Sequence, residues 1–239
     1  MDFHRKICNN VKKELITTIV ESLKDNGIDS ITLIDLCCGR GGDIFKWDKA
    51  KIDKVLAFDN HEESLKEAIS RYKKVSSRIK SRINFIKSDV STIDISKHIK
   101  QKVPLITCQF SLHYFDLETI LTKISNSLTK GGYFIGVVPD GDIIEQCLYD
   151  DTLIENVTLE RAGPNSYFIN LFDKKDTNKT ESYFNYRKES LKESFVRKKD
   201  LEVIANKVSL KLCNYYNLQD KWNGNHISKL YFSFVFQKV

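Results

Sequence analysis

Glycine and proline are scarce, 10 and 3 residues in a chain of 239. That excludes a collagen-like or low-complexity chain and argues against long disordered linkers. No run approaches the ~18 consecutive apolar residues of a membrane-spanning helix. The first residues, Met1-Asp-Phe-His-Arg-Lys, hold no apolar leader, so an intracellular rather than secreted protein is expected: nuclear or cytoplasmic, and cytoplasmic for a viral source. None of the six cysteines (Cys8, Cys37, Cys38, Cys108, Cys147, Cys213) forms a CxxC pair. This excludes a zinc ribbon or a disulfide framework; reduced cysteines and no metal are expected. Charge of one sign is also lacking. Lys and Arg number 38 against 32 Asp and Glu, a net charge of +6, which permits an anionic partner without requiring one.

What the chain does contain is strict alternation of strand and helix signals. Residues 1–24 repeat apolar positions every four residues (Ile7, Val11, Leu15, Ile19, Leu23), an amphipathic helix ended by Gly27. Ile31–Leu36 is an apolar run that meets Gly39, Gly41 and Gly42 and then a helix over Asp43–Ala50. Strands are predicted at Lys54–Phe58, Ile83–Ile86, Val103–Phe110 and Tyr133–Val138. Helices fall between them at His61–Val75, Ile93–Lys100 and Asp116–Leu128, the last stopped by Lys130-Gly131-Gly132. This order predicts an α/β fold with a largely parallel sheet and right-handed crossovers. After a helix at Asp140–Asp150 the pattern changes. Ser166–Phe172 and Glu181–Tyr186 flank a polar turn and predict a hairpin; a helix at Arg197–Val208 and strands at Leu210–Asn214 and Leu230–Phe236 close the chain.

The glycine turn lies where a backbone can approach a ligand, but it fits two common nucleotide loops poorly. A P-loop closes on Gly-Lys-Ser/Thr, whereas Gly42 is followed by Asp43 and Ile44. A dinucleotide loop needs Gly-x-Gly-x-x-Gly; the third glycine would fall on Ile44, and Asp43 would oppose a pyrophosphate. S-adenosylmethionine (SAM) brings an adenosine but no phosphate. Asp59, about 20 residues after the first glycine, is spaced to reach ribose hydroxyls. Asp89 closes the third strand near an adenine amino group. Asp35, inside the first strand, needs a partner that the sulfonium or the methionine ammonium supplies. Singly, each aspartate serves equally well as a cap or turn residue; three at successive strand ends beside a glycine turn form a constellation.

Asp35-Leu-Cys-Cys-Gly-Arg-Gly-Gly-Asp-Ile-Phe-Lys-Trp47 resembles the SAM motif of messenger-RNA cap guanine-N7 methyltransferases, in which the loop continues Gly-Gly-Asp-x-x-Lys-Trp. Gln109-Phe-Ser-Leu-His-Tyr114 is similar to the family's Gln-Phe-x-x-His-Tyr signature. Gly136-Val-Val-Pro-Asp140, Lys192-Glu-Ser-Phe-Val196, Leu230–Phe236 and Asn9-Asn-Val-Lys12 resemble further segments in the family's order. Arg40 stands where the family has lysine, Ser194 where it has tyrosine, and Cys8 and Asn10 depart from the N-terminal motif. The resemblance implies a Rossmann-like class I SAM-dependent methyltransferase: a mixed seven-stranded sheet flanked by helices, with a small β-hairpin insertion after the fifth strand. It implies one domain over 1–239, with residues 1–27 a helix over the cofactor, 28–150 the SAM-binding core, and 151–239 the cap-binding insertion and closing strands.

The resemblance further implies roles. Lys12, Asp35, Gly39, Asp59, Asp89 and Gln109 would bind SAM, leaving S-adenosylhomocysteine (SAH) as product. His113, Tyr114, Pro139, Glu193 and Tyr231 would line the guanine pocket. Taken alone, His113 reads as a satisfied strand-end histidine, Tyr231 as core, Glu193 as a solvated acid and Lys12 as part of a helix surface. The implied partner is a capped RNA 5′ end, GpppN, with triphosphatase and guanylyltransferase activities on another chain or domain. Lys46, Lys49, Lys51 and Arg5 are candidates to attract the triphosphate. Guanine N7 carries a lone pair and no proton, so no general base is expected and catalysis rests on positioning. The alternatives are a methyltransferase of another base or small molecule, or a non-catalytic capping subunit.

Overall fold

The structure is a computed structural model that describes residues 2–171, 192–222 and 227–239. Seven strands form one sheet: β1 (Thr32–Leu36), β2 (Lys54–Asp59), β3 (Arg82–Lys87), β4 (Val103–Gln109), β5 (Leu128–Pro139), β9 (Leu210–Asn217) and β10 (Tyr231–Lys238), in the order β3-β2-β1-β4-β5-β10-β9. The first five pair in parallel, and β10 runs antiparallel to both β5 and β9. Strand order reverses between β1 and β4. A crevice therefore opens beyond their C-terminal ends, where an open α/β sheet takes its ligands.

Alternation along each strand feeds two cores. Leu33 of β1 packs on the face covered by α1 (Asp2–Asp25) and α2 (Ile44–Lys49), with Val11, Ile16, Val20 and Trp47. Its neighbour Ile34 packs on the opposite face with Ile120, Leu121 and Ile124 of α4 (Leu117–Ser127) and Leu201 and Ala205 of α6 (Lys198–Lys207). On β10 the same period sends Phe232, Phe234 and Phe236 to the second core and Tyr231 and Val235 to the first. The apolar stripe of α1 is buried as its four-residue spacing requires: Val11 and Leu23 are at most 1% exposed. The helices α3 (Glu62–Val75), α4 and α5 (Gly141–Tyr149) begin one residue after His61, Asp116 and Asp140, whose side chains cap them.

Several expectations need correction. Ile93–Lys100 is not an α-helix but one 3₁₀ turn, Ile95–His98. Asp94 accepts from both the Ser96 N–H and hydroxyl and tightens the segment into a turn. Lys130-Gly131-Gly132 lies inside β5, which starts at Leu128 as soon as α4 ends. The insertion is a three-stranded antiparallel sheet of β6 (Val157–Gly163), β7 (Ser166–Leu171) and β8 (Lys192–Ser194), in that order. Its hairpin joins β6 to β7 through Pro164-Asn165. The expected second arm, Glu181–Tyr186, lies outside the described residues. The helix α7 (Leu218–Trp222) follows β9 directly. Among the described residues no helix is long and apolar enough to cross a membrane.

Candidate active site

The crevice at the end of β1 begins with a buried ionic knot. Lys12 of α1 lies 2.8 Å from Asp43 at the start of α2, and Lys46, one turn on, reaches the same oxygen at 2.8 Å. Burial opposes the Asp43 charge, but the two ammonium groups outweigh it and hold the carboxyl below its ordinary range. Asp43 is thus the anion that anchors α1 to the glycine turn. Lys46 also donates to Asn9 Oδ1 and to the Gly42 carbonyl, so its charge is committed to the knot rather than presented to a polyphosphate.

Asp35 lies in β1 at 3% exposure and accepts a hydrogen bond from Thr107 of β4, its parallel register partner. Both nearby lysines are paired with Asp43. Burial, and then the Asp43 charge, raise the Asp35 carboxyl from 3.8 to about 8, so it is neutral at pH 7. A buried acid without an ion pair is suited to a cationic ligand. Asp59 closes β2 and receives the Gly39 N–H at 2.7 Å and the His61 N–H at 2.8 Å. It therefore shapes the glycine turn as well as facing the crevice. Gly39 has φ +54, with nothing within 4 Å of a would-be Cβ; Gly41 has φ +71 and packs so tightly on Ala68 and Ile44 that a Cβ would lie 2.8–3.2 Å from them. Asp89 is exposed just after β3 and holds Ser91 through its N–H and hydroxyl. Gln109, at the end of β4, is 8% exposed, and both atoms of its amide are without a hydrogen-bond partner.

An orphaned amide, a glycine turn with room above it and an unpaired acid together fit a polar, cationic, phosphate-free ligand such as SAM. Among the described residues no cluster of three or more His, Cys, Asp or Glu side chains is gathered as a metal site would be.

A second group stands beside the first, beyond β4. Glu193 of β8 is 6% exposed. It accepts from the Tyr114 hydroxyl at 3.1 Å and from the Tyr167 hydroxyl at 2.9 Å, and His113 Nε2 lies 3.4 Å from its Oε1. Burial works against the charge, but His113 and the two hydroxyls more than offset it, and the carboxyl stays below its ordinary range. Neither ring nitrogen of buried His113 has a well-aligned hydrogen-bond partner. Tyr114 is 43% exposed, and its ring lies 4.0 Å from that of His113, tilted by 56°. Tyr231, at the start of β10, pairs in register with Pro139 and packs edge-on against Phe110 at 5.4 Å.

The five residues expected at the guanine pocket thus fall into two neighbouring groups, His113–Tyr114–Glu193 and Pro139–Tyr231. Tyr167 was not anticipated. It sits in β7, paired with Glu193 in the small sheet, and its ring packs at 5.0 Å on Phe195. Its signal in the sequence was one apolar-strand tyrosine among ten, and only the pairing of β7 with β8 distinguishes it.

A family model described as the mRNA (guanine-N(7))-methyltransferase domain matches residues 2–239. The mRNA cap guanine-N(7) methyltransferase of Caenorhabditis elegans is 36% identical over 152 residues, 59% of this chain and 40% of that protein. The mRNA cap guanine-N(7) methyltransferase 1 of Oryza sativa subsp. japonica is 31% identical over 153 residues, with the same coverage. The match thus spans well under half the length of these relatives. Among solved structures, a S-adenosylmethionine-dependent methyltransferase from Clostridium acetobutylicum ATCC 824 superposes with a TM-score of 0.63 at 20% identity, covering 95% of this chain and 91% of that one. At that identity the likeness speaks for the fold, which is that of class I methyltransferases.

Proposed function

Because this chain belongs to the mRNA (guanine-N7)-methyltransferase family, we propose that it transfers a methyl group from SAM to N7 of the guanosine cap of RNA, GpppN to m7GpppN. The observation that carries the reading is Glu193, a buried carboxylate kept charged by Tyr114, Tyr167 and His113. A buried anion is costly unless it meets donors. The N1–H and 2-amino groups of guanine are two such donors on one edge.

SAM, when bound, supplies an electrophilic methyl group on a sulfonium. Asp35 would take the methionine ammonium or the sulfonium as its counter-ion. Lys12, seated over the loop by Asp43, would meet the methionine carboxylate. Gly39 would leave room for the methionine, Asp59 would hold the ribose, Asp89 the adenine amino group, and the free amide of Gln109 would bind the cofactor from β4. Glu193 holds the guanine edge, and its charge stabilises the positive charge that develops on the ring. Tyr114 is the exposed member of the Glu193 pair, so its hydroxyl yields one position to the base while its ring lies against the purine. His113 offers a ring N–H, and Tyr231 and Pro139 close the wall.

N7 has no proton to lose, so no residue acts as a general base. Alignment of N7 with the methyl carbon supplies the acceleration, for which up to roughly 7–11 kcal/mol is available from positioning. Residues 1–27 act as the helix over the cofactor, 28–150 as the SAM core, and 151–239 as the cap-binding part. The triphosphatase and guanylyltransferase steps that make GpppN fall to another chain or domain. Incubation with labelled SAM and GpppA tests the reading: transfer is expected. A folded, SAH-binding protein that transfers nothing to GpppA or GpppG refutes it, and transfer to uncapped bases or small molecules favours the broader methyltransferase class.

A further inference from the structure

His4 stands one helical turn before Cys8 and two turns before Lys12 on α1. It is 2% exposed and faces away from solvent into the start of β10. Three contacts fix its ring. Nδ1 lies 3.3 Å from the Ser228 hydroxyl, Nε2 lies 3.4 Å from the Cys8 sulfur, and the ring packs on Tyr231 with centroids 5.3 Å apart at 35°. Ser228 is wholly buried and precedes Tyr231 by three residues on the same short segment. On its other side Tyr231 meets Phe110 edge-on at 5.4 Å. Phe110 is itself locked: its φ is +58, uncommon for a side chain of this size, and its N–H donates to the Val137 carbonyl at 2.7 Å. The Tyr231 ring is therefore held between Phe110, at the end of the strand that carries Gln109, and His4, on the helix that carries Lys12.

Protonation agrees with this arrangement. Burial lowers the His4 imidazole to about 4 and raises the Cys8 thiol to about 12. A neutral ring and an intact thiol allow S–H to donate to Nε2 while Nδ1–H donates to Ser228. Nothing in the chemistry proposed above uses either group.

Resting on the functional reading above, we propose that His4 is a positioning residue for Tyr231, and that α1 couples the two halves of the site. The middle of the helix is seated over the methionine end of the cofactor site by Lys12 and Asp43. Its first turn, two turns back, sets the cap wall through His4. Whatever settles α1 at Lys12 therefore settles Tyr231, and the two ligands bind with positive coupling, which by thermodynamic necessity is reciprocal.

The test measures GpppA binding by calorimetry with and without SAH, and steady-state kinetics, for the wild type and His4→Ala. In the wild type SAH is expected to tighten GpppA about fivefold or more. In His4→Ala the KM for GpppA rises about tenfold, kcat stays within twofold, SAH affinity without cap is unchanged, the tightening by SAH disappears, and the KM for SAM at saturating GpppA rises by the same lost factor of about five. Unchanged KM and coupling in the variant, with a wild type that binds GpppA, overturns this inference alone. Parallel loss of cap affinity and of SAH affinity without cap, with a lowered thermal midpoint, also overturns it, since that is what a merely structural residue gives. A wild type that does not bind GpppA overturns the functional reading and this inference with it. If His4→Ala does not fold, Ser228→Ala decides: it keeps the ring and removes its Nδ1 partner, and a KM for GpppA that does not rise is fatal.

Discussion

Replacing Glu193 with Gln changes one atom and removes one charge, and it separates the two halves of the site. Glu193 is buried, and its two oxygens already serve as acceptors for Tyr114 and Tyr167. Gln offers one acceptor and one donor group. With the Tyr167 hydroxyl buried against it, the remaining edge presents either an N–H to the guanine N1–H or a neutral oxygen. The loss is about one to two charge-assisted hydrogen bonds, each about 1.5–3 kcal/mol. We expect roughly 3 kcal/mol, or about a 150-fold fall in kcat/KM for GpppA. No contact links Glu193 to Lys12, Asp35, Asp59 or Gln109, so SAH affinity should stay within about twofold. Inosine-capped IpppA, which lacks the 2-amino group, supplies an internal control. It should be a poorer substrate than GpppA for the wild type and nearly equal to it for the variant, because the missing donor has lost its charged partner. Equal loss of cap use and SAH binding, or an IpppA penalty that persists in Glu193→Gln, would refute the assignment.

Four further outcomes concern the cofactor side. Asp35 is neutral below about pH 8, and a cationic ligand favours its ionised form. SAM affinity should therefore rise about tenfold from pH 6 to 7 and about fivefold from pH 7 to 8, with a proton released on binding that calorimetry in buffers of different ionisation enthalpy detects. The same raised carboxyl stabilises the unliganded fold fully below about pH 3.8; that contribution declines as pH climbs towards 8, so the thermal midpoint should rise on acidification from pH 8 to 6 unless SAM is present. Lys12→Met leaves Asp43 with Lys46 alone in a buried site and should cost about 3 kcal/mol of stability, read in a denaturant titration, together with a loss of SAH affinity. Gly41→Ala combines a φ of +71 with contacts of 2.8–3.2 Å to Ile44 and Ala68; a loss of about 2–3 kcal/mol is expected, and a thermal midpoint within 2 °C of wild type would show that the turn relaxes.

The parallel half of the fold was legible in the sequence because β1, β2 and β4 are buried and read as apolar runs, and α3 and α4 carry caps one residue ahead of them. The glycine turn was legible because its three glycines are local, although Asp59, which receives the Gly39 N–H, comes from β2, 20 positions on. What the sequence hid is long-range. Asp43 reads as a charge at a helix start, and only the fold brings Lys12, 31 positions away, to meet it. Lys46 reads as a surface lysine and is instead spent on that knot. Tyr167 and Glu193 are 26 positions apart, and no periodicity announces that β7 and β8 pair. Ile93–Lys100 reads as a helix in the sequence, but Asp94, a residue that competes with helix hydrogen bonding, tightens it into the 3₁₀ turn at Ile95–His98. His4 and Cys8 lie at helical spacing, but the Ser228 partner of His4 is 224 positions on.

Delivery of the methyl group to N7 of a cap guanosine is read by reacting the protein with methyl-labelled SAM and GpppA, digesting the product with nuclease, and resolving it against m7GpppA. Label migrating with m7GpppA, one methyl per cap and none with SAH-inhibited protein, is the predicted result. Label absent from the cap, or carried on the adenosine or on uncapped RNA, would contradict the account while the fold stood.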